Sequence, residues 1–453
     1  MTPQIEMRNL DALKSMVRGT VHLPDGDGYH EARQVWNAMI DRRPEAIVCA
    51  TGVADVIAAV RFAGERGLPV AIRCGGHNVA GTSVGDGSIV IDLARFKSVR
   101  VDPVHRRALA GGGVLWGEYD HETQAFGLAS PGGAISTTGI AGLTLGGGYG
   151  YLSRCYGMAC DNLISADVVT ASGELVTASA DSHPDLFWAL RGGGGNFGVV
   201  TSLEFQLHPV RDLLGGLIVF PFNMARTVLQ RFRALSLDAS DNLTTMAAII
   251  PSPDGGKVVA VLVSDIGKEG EGERAARALR ELGSVQMDTV APMEYCAMQR
   301  QVDVSYPKGQ RHYWKSTFVK TLSDDVLDLA IDSANTSPSI MNVIMIEVYG
   351  GAVARVASDN TAFGHRDALF NLSMLAISND AAMDAEQRAW ARENWQKALP
   401  HSTGGAYVNY MSEGEDVHSA YSDARFQRLA AIKAQYDPAN LFRFNQNIPP
   451  AKG

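Results

Sequence analysis

Glycine clusters between residues 73 and 198 constrain this chain more than any other feature of its sequence. The chain holds 47 glycines in 453 residues, and many of them stand in short clusters separated by patterned apolar segments. Glycine has no Cβ, so its backbone can lie directly against another surface. A solvated linker would be rich in serine and charge rather than in apolar residues. The clusters therefore predict buried backbone that is pressed against a flat ligand.

The overall composition is that of a globular protein. The chain is 46% hydrophobic and 20% charged, which predicts a large core and, at this length, two or three domains. The net charge of −9 argues against nucleic acid as a partner, because phosphate binding needs a basic face. No apolar run reaches the roughly 20 residues of a membrane span, and residues 1–17 lack the apolar core of a signal peptide. We therefore expect a soluble, cytoplasmic protein with no nucleic-acid or membrane partner.

Cysteine usage points to a reducing compartment. The cysteines are scattered and odd in number, which is typical of free thiols rather than of a disulfide framework. They are Cys49, Cys74, Cys155, Cys160 and Cys296. The sequence contains no Cys-x-x-Cys pair and no histidine pair at helical ligand spacing, so it predicts no metal site.

The stretch RCGGHN, residues 73–78, follows a predicted strand at 68–74. A strand end followed by Gly75 and Gly76 exposes successive backbone N–H groups, which form a concave nest for an anion such as a diphosphate. The same pattern also fits a tight turn that holds a hydrogen-bonded His77. The motif alone favours the tight turn, and the anion nest remains the alternative interpretation.

Two further glycine runs lead to different interpretations. Residues 137–150, TTGIAGLTLGGGYG, are apolar between the glycines, which predicts backbone along a flat ligand with Tyr149 either facing that ligand or filling the core. Residues 193–198 match G-x-G-x-x-G, but a predicted helix precedes this run and a predicted strand follows it. A dinucleotide fingerprint needs the reverse order. The sequence therefore argues against NAD binding by this loop.

Local patterns predict the following elements from apolar periodicity and from turn residues. In the first half we expect helices at 53–66, 115–126 and 183–190, strands at 68–74, 88–93 and 196–210, and hairpins at 98–111 and 162–179. Segment 127–150 has few strong helix or strand formers. After residue 209 we expect an α+β region with helices at 225–236, 271–282, 324–335, 384–398 and 418–435 and strands at 243–250, 257–264, 312–320, 342–349 and 406–411.

Two of these strands carry candidate site residues. In 342–349 the period of two places Met345, Glu347 and Tyr349 on one face and apolar residues on the other. This pattern fits a sheet that roofs a ligand cavity, and a solvent-exposed outer face is the alternative.

The motif YVNY, residues 407–410, places Tyr407 and Asn409 on one face of a predicted strand and Tyr410 on the other. A tyrosine hydroxyl has an ordinary pKa of about 10, so it acts as a base only where its neighbours favour the phenolate. Packing of at least one of these tyrosines in the core is the alternative.

Six motifs, taken in order, resemble the berberine-bridge-enzyme-like oxidases. They are RCGGHN, SPGGAISTTGIAGLTLGGGYG, RCYGMACDN, LFWALRGGGGNFGVVT, YVNY and NQNIPP. These oxidases are FAD enzymes of the vanillyl-alcohol-oxidase superfamily, and within it the chain resembles the bacterial hydroxynicotine oxidase group. The resemblance implies an α+β fold with a two-part, PCMH-type FAD-binding domain at 1–208 and 405–453. A substrate domain, a sheet backed by helices, is then inserted at 209–404.

The resemblance also implies how FAD is held. His77 matches the residue that attaches to the 8α carbon of the flavin ring. Some relatives have a second link through a cysteine eleven residues before Gly-Gly-Gly, and this position is Ile135 here, so we expect a single covalent link. The other implied cofactor contacts are Arg73, Cys74, Gly75, Gly76, Asn78, Gly81, Ser83, Gly132, Thr137, Gly139, Gly142, Gly148, Gly150, Val200, Asn445 and Asn447.

For catalysis, the resemblance implies hydride transfer from the substrate to flavin N5 and removal of a proton by a base. Tyr410 matches the family's catalytic tyrosine, and Tyr149 matches a position that faces the substrate. His312, Lys315 and Glu347 are further candidates for substrate contact.

The expected function is an FAD-dependent oxidase of a small organic alcohol, amine or phenolic metabolite, with O2 as acceptor and H2O2 as product. An oligosaccharide oxidase, an oxidative cyclase of a biosynthetic pathway and a flavin-binding protein without turnover are the alternatives. A homodimer is compatible with the sequence.

Overall fold

Two sheets and a short strand pair organise the glycine-rich half of the chain in this computed structural model, which describes residues 10–267 and 270–452. The strands are β1 (Thr20–His22), β2 (Ala46–Cys49), β3 (Val70–Arg73), β4 (Ile89–Asp92), β5 (Val99–Asp102), β6 (Arg107–Gly111), β7 (Leu128–Ala129), β8 (Leu163–Val169), β9 (Leu175–Ser179), β10 (Val199–Gln206) and β11 (His208–Pro209). The first sheet has the order β1-β2-β4-β3, with β2, β4 and β3 parallel. The second is antiparallel, with the order β5-β6-β10-β8-β9, and β7 pairs with β11.

A larger antiparallel sheet follows in the chain. Its strands are β12 (Asp212–Pro221), β13 (Leu243–Pro251), β14 (Lys257–Asp265), β15 (Met287–Asp288), β16 (Ala291–Glu294), β17 (Arg311–Val319), β18 (Val343–Val348) and β19 (Phe370–Ser378). Their order is β15-β12-β14-β13-β18-β19-β17, and β16 also pairs with β12. The α+β fold class is confirmed.

The helices cover the outer faces of these sheets. They are α1 (Asp11–Met16), α2 (Tyr29–Ala32), α3 (Val53–Glu65), α4 (Trp116–Gln124), α5 (Ile140–Leu145), α6 (Ser153–Tyr156), α7 (Pro184–Leu190), α8 (Ala225–Leu237), α9 (Glu271–Arg280), α10 (Tyr295–Gln299), α11 (Asp324–Asn335), α12 (Ala352–Arg355), α13 (Asp384–Ala398) and α14 (Asp423–Tyr436). Among the described helices, none is long and apolar enough to cross a lipid bilayer.

The alternation predicted for β18 explains how the large sheet separates core from cavity. Ile344 and Ile346 are buried in the core that this sheet forms with α8, α11 and α13. Met345 and Glu347 point to the opposite face, where they line a cavity. The helices therefore bury one face of the sheet, and the other face is left for a ligand.

One segment without a predicted element contains a helix, and one predicted strand is a turn. Segment 127–150 contains α5, because Ile140, Ala141, Thr144 and Leu145 bury one helical face in spite of the surrounding glycines. Residues 408–410 form a 3₁₀ turn instead of a strand. The turn replaces the strand because the Tyr410 amide donates to the Tyr407 carbonyl at 2.9 Å instead of to a neighbouring strand.

Candidate active site

One cavity of about 650 Å³ lies between the glycine-rich loops and the open face of the large sheet. The turn after β3, parts of segment 134–151 and the loop before β10 form one side of it. Strands β12–β14 and β17–β19 form the roof, and the C-terminal segments 407–410 and 444–446 complete the wall. Its volume is in the range of small-molecule and cofactor sites.

The loops that form the floor touch backbone to backbone. A Cβ added to Gly75 would lie 2.6 Å from the amide nitrogen of Gly139, and a Cβ added to Gly139 would lie 2.6 Å from that of Gly75. Gly142 and Gly195 also line the cavity, and no atom lies within 4 Å of where their Cβ would stand. Glycine therefore joins the loops at one position and leaves room for a ligand at the others.

The backbone after β3 suits an anion. The N–H groups of Gly75, Gly76, His77 and Asn78 donate no hydrogen bond to any other described residue. These four residues line the cavity, and Gly76 has a φ of +65°, which bends the loop into a concave turn. No lysine or arginine is among the described residues of the cavity wall. An FAD diphosphate in this turn would therefore be bound by backbone N–H groups, and the residues present fit it.

His77 has one ring nitrogen engaged and one available. Its Nε2 is 2.8 Å from Oγ1 of Thr137, while Nδ1 has no hydrogen-bond partner among the described residues. Burial lowers the pKa of His77 to about 4, so the imidazole is neutral at physiological pH. A neutral ring nitrogen keeps the lone pair that a covalent bond to a flavin requires.

An aromatic stack fixes the plane of the His77 ring. Trp36 stacks on His77 with 4.6 Å between ring centroids, and His312 stacks on Trp36 with 3.9 Å. The neighbouring Asn37 donates from Nδ2 to the carbonyl groups of Val79 and His312 at 2.7 and 2.9 Å. Segment 36–37 therefore ties the turn after β3 to strand β17.

The C-terminal tail docks onto the loop 192–198. The buried Lys433 donates to the carbonyl oxygens of Asn196 and Phe442 at 2.7 and 2.9 Å and pairs with Asp437 at 2.6 Å. Asn445 donates to the carbonyl oxygen of Gly195 at 3.1 Å and lines the cavity. The last glycine run is thus a docking surface for the tail and a piece of cavity wall.

Tyr410 and Glu347 meet at one end of the cavity. The Tyr410 hydroxyl donates to Oε1 of Glu347 at 2.7 Å, and Asn371 donates to Oε2 at 2.8 Å. Burial raises the pKa of Glu347 to about 7, and these two hydrogen bonds only partly oppose the rise. Burial and the Glu347 charge raise the pKa of Tyr410. Tyr410 is therefore a neutral phenol, and Glu347 is the group of this pair that changes charge near neutral pH.

The 3₁₀ turn brings the YVNY side chains to the same cavity. Tyr407, Asn409 and Tyr410 all line it, whereas a strand would have placed Tyr410 on the other face. The Tyr407 hydroxyl accepts from the Gly148 amide at 2.9 Å, and Asn409 donates to the Leu143 carbonyl at 3.0 Å. The turn is held by the glycine segment that it faces.

Tyr149 lines the cavity with its ring, while its hydroxyl is engaged elsewhere. The hydroxyl donates to the carbonyl oxygen of Val348, and the ring stacks on Tyr349 with 4.1 Å between centroids. Burial raises the pKa of Tyr149 above its ordinary value. Tyr149 therefore presents an apolar ring surface.

The structure brings most of the predicted cofactor contacts to the cavity. Those that line it are Cys74, Gly75, Gly76, His77, Asn78, Ser83, Gly139, Gly142, Val200 and Asn445, and those that do not are Arg73, Gly81, Gly132, Thr137, Gly148, Gly150 and Asn447. Arg73 lies outside the cavity wall, and its guanidinium pairs with Asp92 at 2.6 Å. Gly150 packs directly against the backbone of Gly132, because a Cβ on Gly150 would lie 2.4 Å from the Gly132 carbonyl oxygen.

Two of the predicted substrate contacts do not line the cavity. Lys315 lies on the helix side of β17, where its ammonium pairs with Glu415 at 3.0 Å and lies over Trp395. His312 lies behind Trp36 and does not line the cavity. Of the three candidates, only Glu347 faces the cavity.

Sequence reasoning missed Trp36 and Asn371. Trp36 stands outside every glycine motif, and its contact with His77 joins residues that are far apart in the chain. Asn371 is the second residue of the mostly apolar strand β19, and an asparagine at this position was the available signal. A buried polar side chain needs a hydrogen-bond partner, and Glu347 is that partner.

Comparison with known proteins agrees with this geometry. Residues 44–179 match the FAD binding domain family, and residues 406–449 match the berberine and berberine-like family. The chain is 39% identical to the FAD-linked oxidoreductase pgmH of Aspergillus terreus, over 99% of this chain and 97% of that protein. It is 32% identical to (R)-6-hydroxynicotine oxidase of Paenarthrobacter nicotinovorans, over 96% of this chain and 97% of that protein.

A solved structure shows the same architecture. The crystal structure of 6-hydroxy-D-nicotine oxidase from Arthrobacter nicotinovorans superposes with a TM-score of 0.87 at 31% identity, covering 96% of this chain and 98% of that one. The cavity, the unpaired backbone N–H groups and these end-to-end similarities lead to one assignment. The chain belongs to the berberine-bridge-enzyme-like FAD-linked oxidoreductases and is an FAD-dependent oxidase of that family.

Proposed function

We propose that this oxidase dehydrogenates a small organic alcohol, amine or phenolic metabolite. The observation that carries the proposal is the Tyr410–Glu347 pair, a hydrogen-bonded pair in the wall of the cavity that can accept a proton. When bound, FAD supplies N5 as the hydride acceptor, and O2 reoxidises the reduced flavin to give H2O2. We also propose that residues 1–208 and 405–453 form the FAD-binding domain and that 209–404 form the substrate domain.

The proton passes through two side chains. The substrate hydroxyl gives its proton to the Tyr410 oxygen, while the Tyr410 proton moves to Oε1 of Glu347, and an amine N–H proton can take the same path. Asn371 holds the carboxylate in place from the other oxygen. Tyr410 thus acts as a relay and Glu347 as the final acceptor, because no cation among the described residues neighbours the buried phenol to stabilise a phenolate.

His77 forms the proposed single covalent link to the flavin. The neutral ring, the available Nδ1 and the hydrogen bond between Nε2 and Thr137 support this assignment. Ile135 lines the cavity at the position of the second link in some relatives, and its side chain cannot form one.

The test is to precipitate the protein with acid, redissolve it and record its visible spectrum. Flavin absorbance is expected to remain in the wild type and in the His121→Ala control, whose histidine is exposed. It is expected to disappear in His77→Ala. Loss from the wild type would exclude a covalent link, and retention in His77→Ala would reveal a second one.

A panel of alcohols, amines and phenols with peroxide detection tests the reaction itself. At least one member is expected to bleach the flavin without oxygen and to produce H2O2 with it. A protein that binds flavin but is bleached by no member of the panel would be a carrier rather than an oxidase.

A further inference from the structure

We infer that the substrate is an apolar molecule without an anionic group that carries one hydroxyl group at the end that reaches Tyr410. This inference rests on the proposed function and narrows it, since it selects alcohols over amines and excludes sugars. Three features of the cavity support it.

The first feature is the apolar roof. The period of two sends alternate side chains of six strands into the cavity, and nearly all of them are apolar. They are Leu217, Met246, Ala248, Ile250, Ala260, Leu262, Trp314, Val343, Met345, Glu347, Leu375 and Ile377. A sugar presents a hydroxyl group on most of its carbons, and this face would leave those groups without hydrogen bonds at a cost of about 1–3 kcal/mol each. Apolar substrate surface gains free energy on the same face.

The second feature is the charge of the wall. Among the described residues that line the cavity, Glu347 is the only carboxylate, and no lysine or arginine is present. A carboxylate or phosphate on the substrate would therefore meet no cation and would be repelled by Glu347. An isolated charge is expensive to bury without a partner. The cavity thus selects against anionic substrates.

The third feature is that the wall contains a built proton acceptor. Oxidation of an alcohol moves a hydride from carbon and releases the hydroxyl proton, so two bonds break and the carbonyl double bond forms. A neutral amine can lose the hydride first and become an iminium ion without a base. The Tyr410–Glu347 pair, oriented by Asn371, is therefore needed to oxidise an alcohol and is not needed to oxidise a neutral amine. The pair therefore indicates a hydroxyl substrate.

Binding of a homologous series tests the inference. Benzyl alcohols with a methyl, propyl or pentyl group at position 4 are mixed rapidly with the holoenzyme without oxygen, and Kd is obtained from the concentration dependence of the flavin bleaching rate, or of the spectral shift where no bleaching follows. Each added methylene is expected to lower Kd about fourfold. Cellobiose and 4-methylbenzoate are expected to cause no saturable shift. A Kd that does not change with chain length, or saturable binding of cellobiose, would overturn the inference.

A pair of variants locates the apolar contact. Met345 and Met383 are both partly buried, but only Met345 lines the cavity. Met345→Gln is expected to weaken binding of the pentyl compound about tenfold, whereas Met383→Gln leaves it unchanged. Equal effects would contradict the placement of the substrate on the sheet.

A comparison of an amine with an alcohol distinguishes failure of this inference from failure of the proposed function. 4-Methylbenzylamine is expected to bleach the flavin at least a hundredfold more slowly than 4-methylbenzyl alcohol. Fast bleaching by the amine alone would refute the hydroxyl assignment and leave the oxidase intact. Tight binding of the alcohols without bleaching or peroxide would refute the oxidase and leave the binding class intact.

Discussion

Replacing Glu347 with glutamine is expected to slow substrate-dependent reduction of the flavin by about 10²–10⁴-fold, the range of a single general base. The substitution preserves shape. The glutamine oxygen can accept from Asn371 as Oε2 does now at 2.8 Å, and its NH2 group then faces the Tyr410 oxygen. Tyr410 accepts a hydrogen bond in this arrangement and has no group to receive its proton. The hydrogen-bond network survives, and proton transfer is lost.

The pH dependence gives a second measure of the same residue. Because burial raises the pKa of Glu347 to about 7, roughly a tenth of the side chain is ionised at pH 6 and about half at pH 7. Only the ionised form accepts a proton, so the wild-type rate rises with pH through 7 and levels off above pH 8. The Glu347→Gln rate is expected to show no such rise.

The assay is rapid anaerobic mixing with the best alcohol of the panel, followed by the loss of flavin absorbance. Tyr410→Phe breaks the relay at its other member, so its effect should be similar and the double variant should be little worse than either single variant. A decrease of less than tenfold in Glu347→Gln, or an inflection near pH 7 that persists in it, would refute the relay. Additive effects of the two substitutions would show that the residues act separately.

Three further substitutions test the surroundings of the site. Gly75→Ala places a Cβ 2.6 Å from the Gly139 amide, so we expect the flavin content of the purified protein, read as the ratio of flavin to protein absorbance, to fall at least tenfold, while the helical Gly64→Ala, which meets no atom within 4 Å, retains its flavin. Thr137→Val removes the hydrogen bond to His77, the proposed attachment residue, and should slow covalent flavin incorporation roughly two- to tenfold, read as flavin fluorescence in denaturing gels; an unchanged rate would exclude this role. Asp120 is buried, and neither of its carboxylate oxygens has a hydrogen-bond partner among the described residues. Burial raises the pKa of Asp120, so the folded state loses stability as pH rises above the ordinary carboxyl pKa. Asp120→Asn should therefore stabilise the protein by about 1–3 kcal/mol at pH 8 and by less at pH 5, and equal Tm shifts at the two pH values would contradict this.

Regular patterns in the sequence predicted the elements well. The helix expected at 53–66 is Val53–Glu65, and the hairpin expected at 162–179 is β8–β9. The alternation in 342–349 correctly placed Met345 and Glu347 on the open face. These predictions succeed because side-chain periodicity is a property of a single strand or helix, and burial of one face is enough to produce it.

The conformation of YVNY was not predictable from its own residues. Tyrosine and valine favour strands, and Asn409 is the one residue of the motif that opposes that preference. The turn forms because Gly148 and Leu143, more than 250 positions away, supply hydrogen bonds to Tyr407 and Asn409. Tertiary contacts outweigh a propensity of about 1 kcal/mol.

The sequence by itself determined the fold class, the family resemblance, the glycine loops of the cofactor site and His77, because these depend on residue type and on local order along the chain. The tertiary structure alone decided which polar groups meet. It moved Lys315 and His312 out of the cavity, stacked Trp36 on His77 and joined Tyr410 to Glu347. The physical reason is that a proton acceptor needs a partner within hydrogen-bond distance, and in this chain that partner comes from a strand 63 positions away.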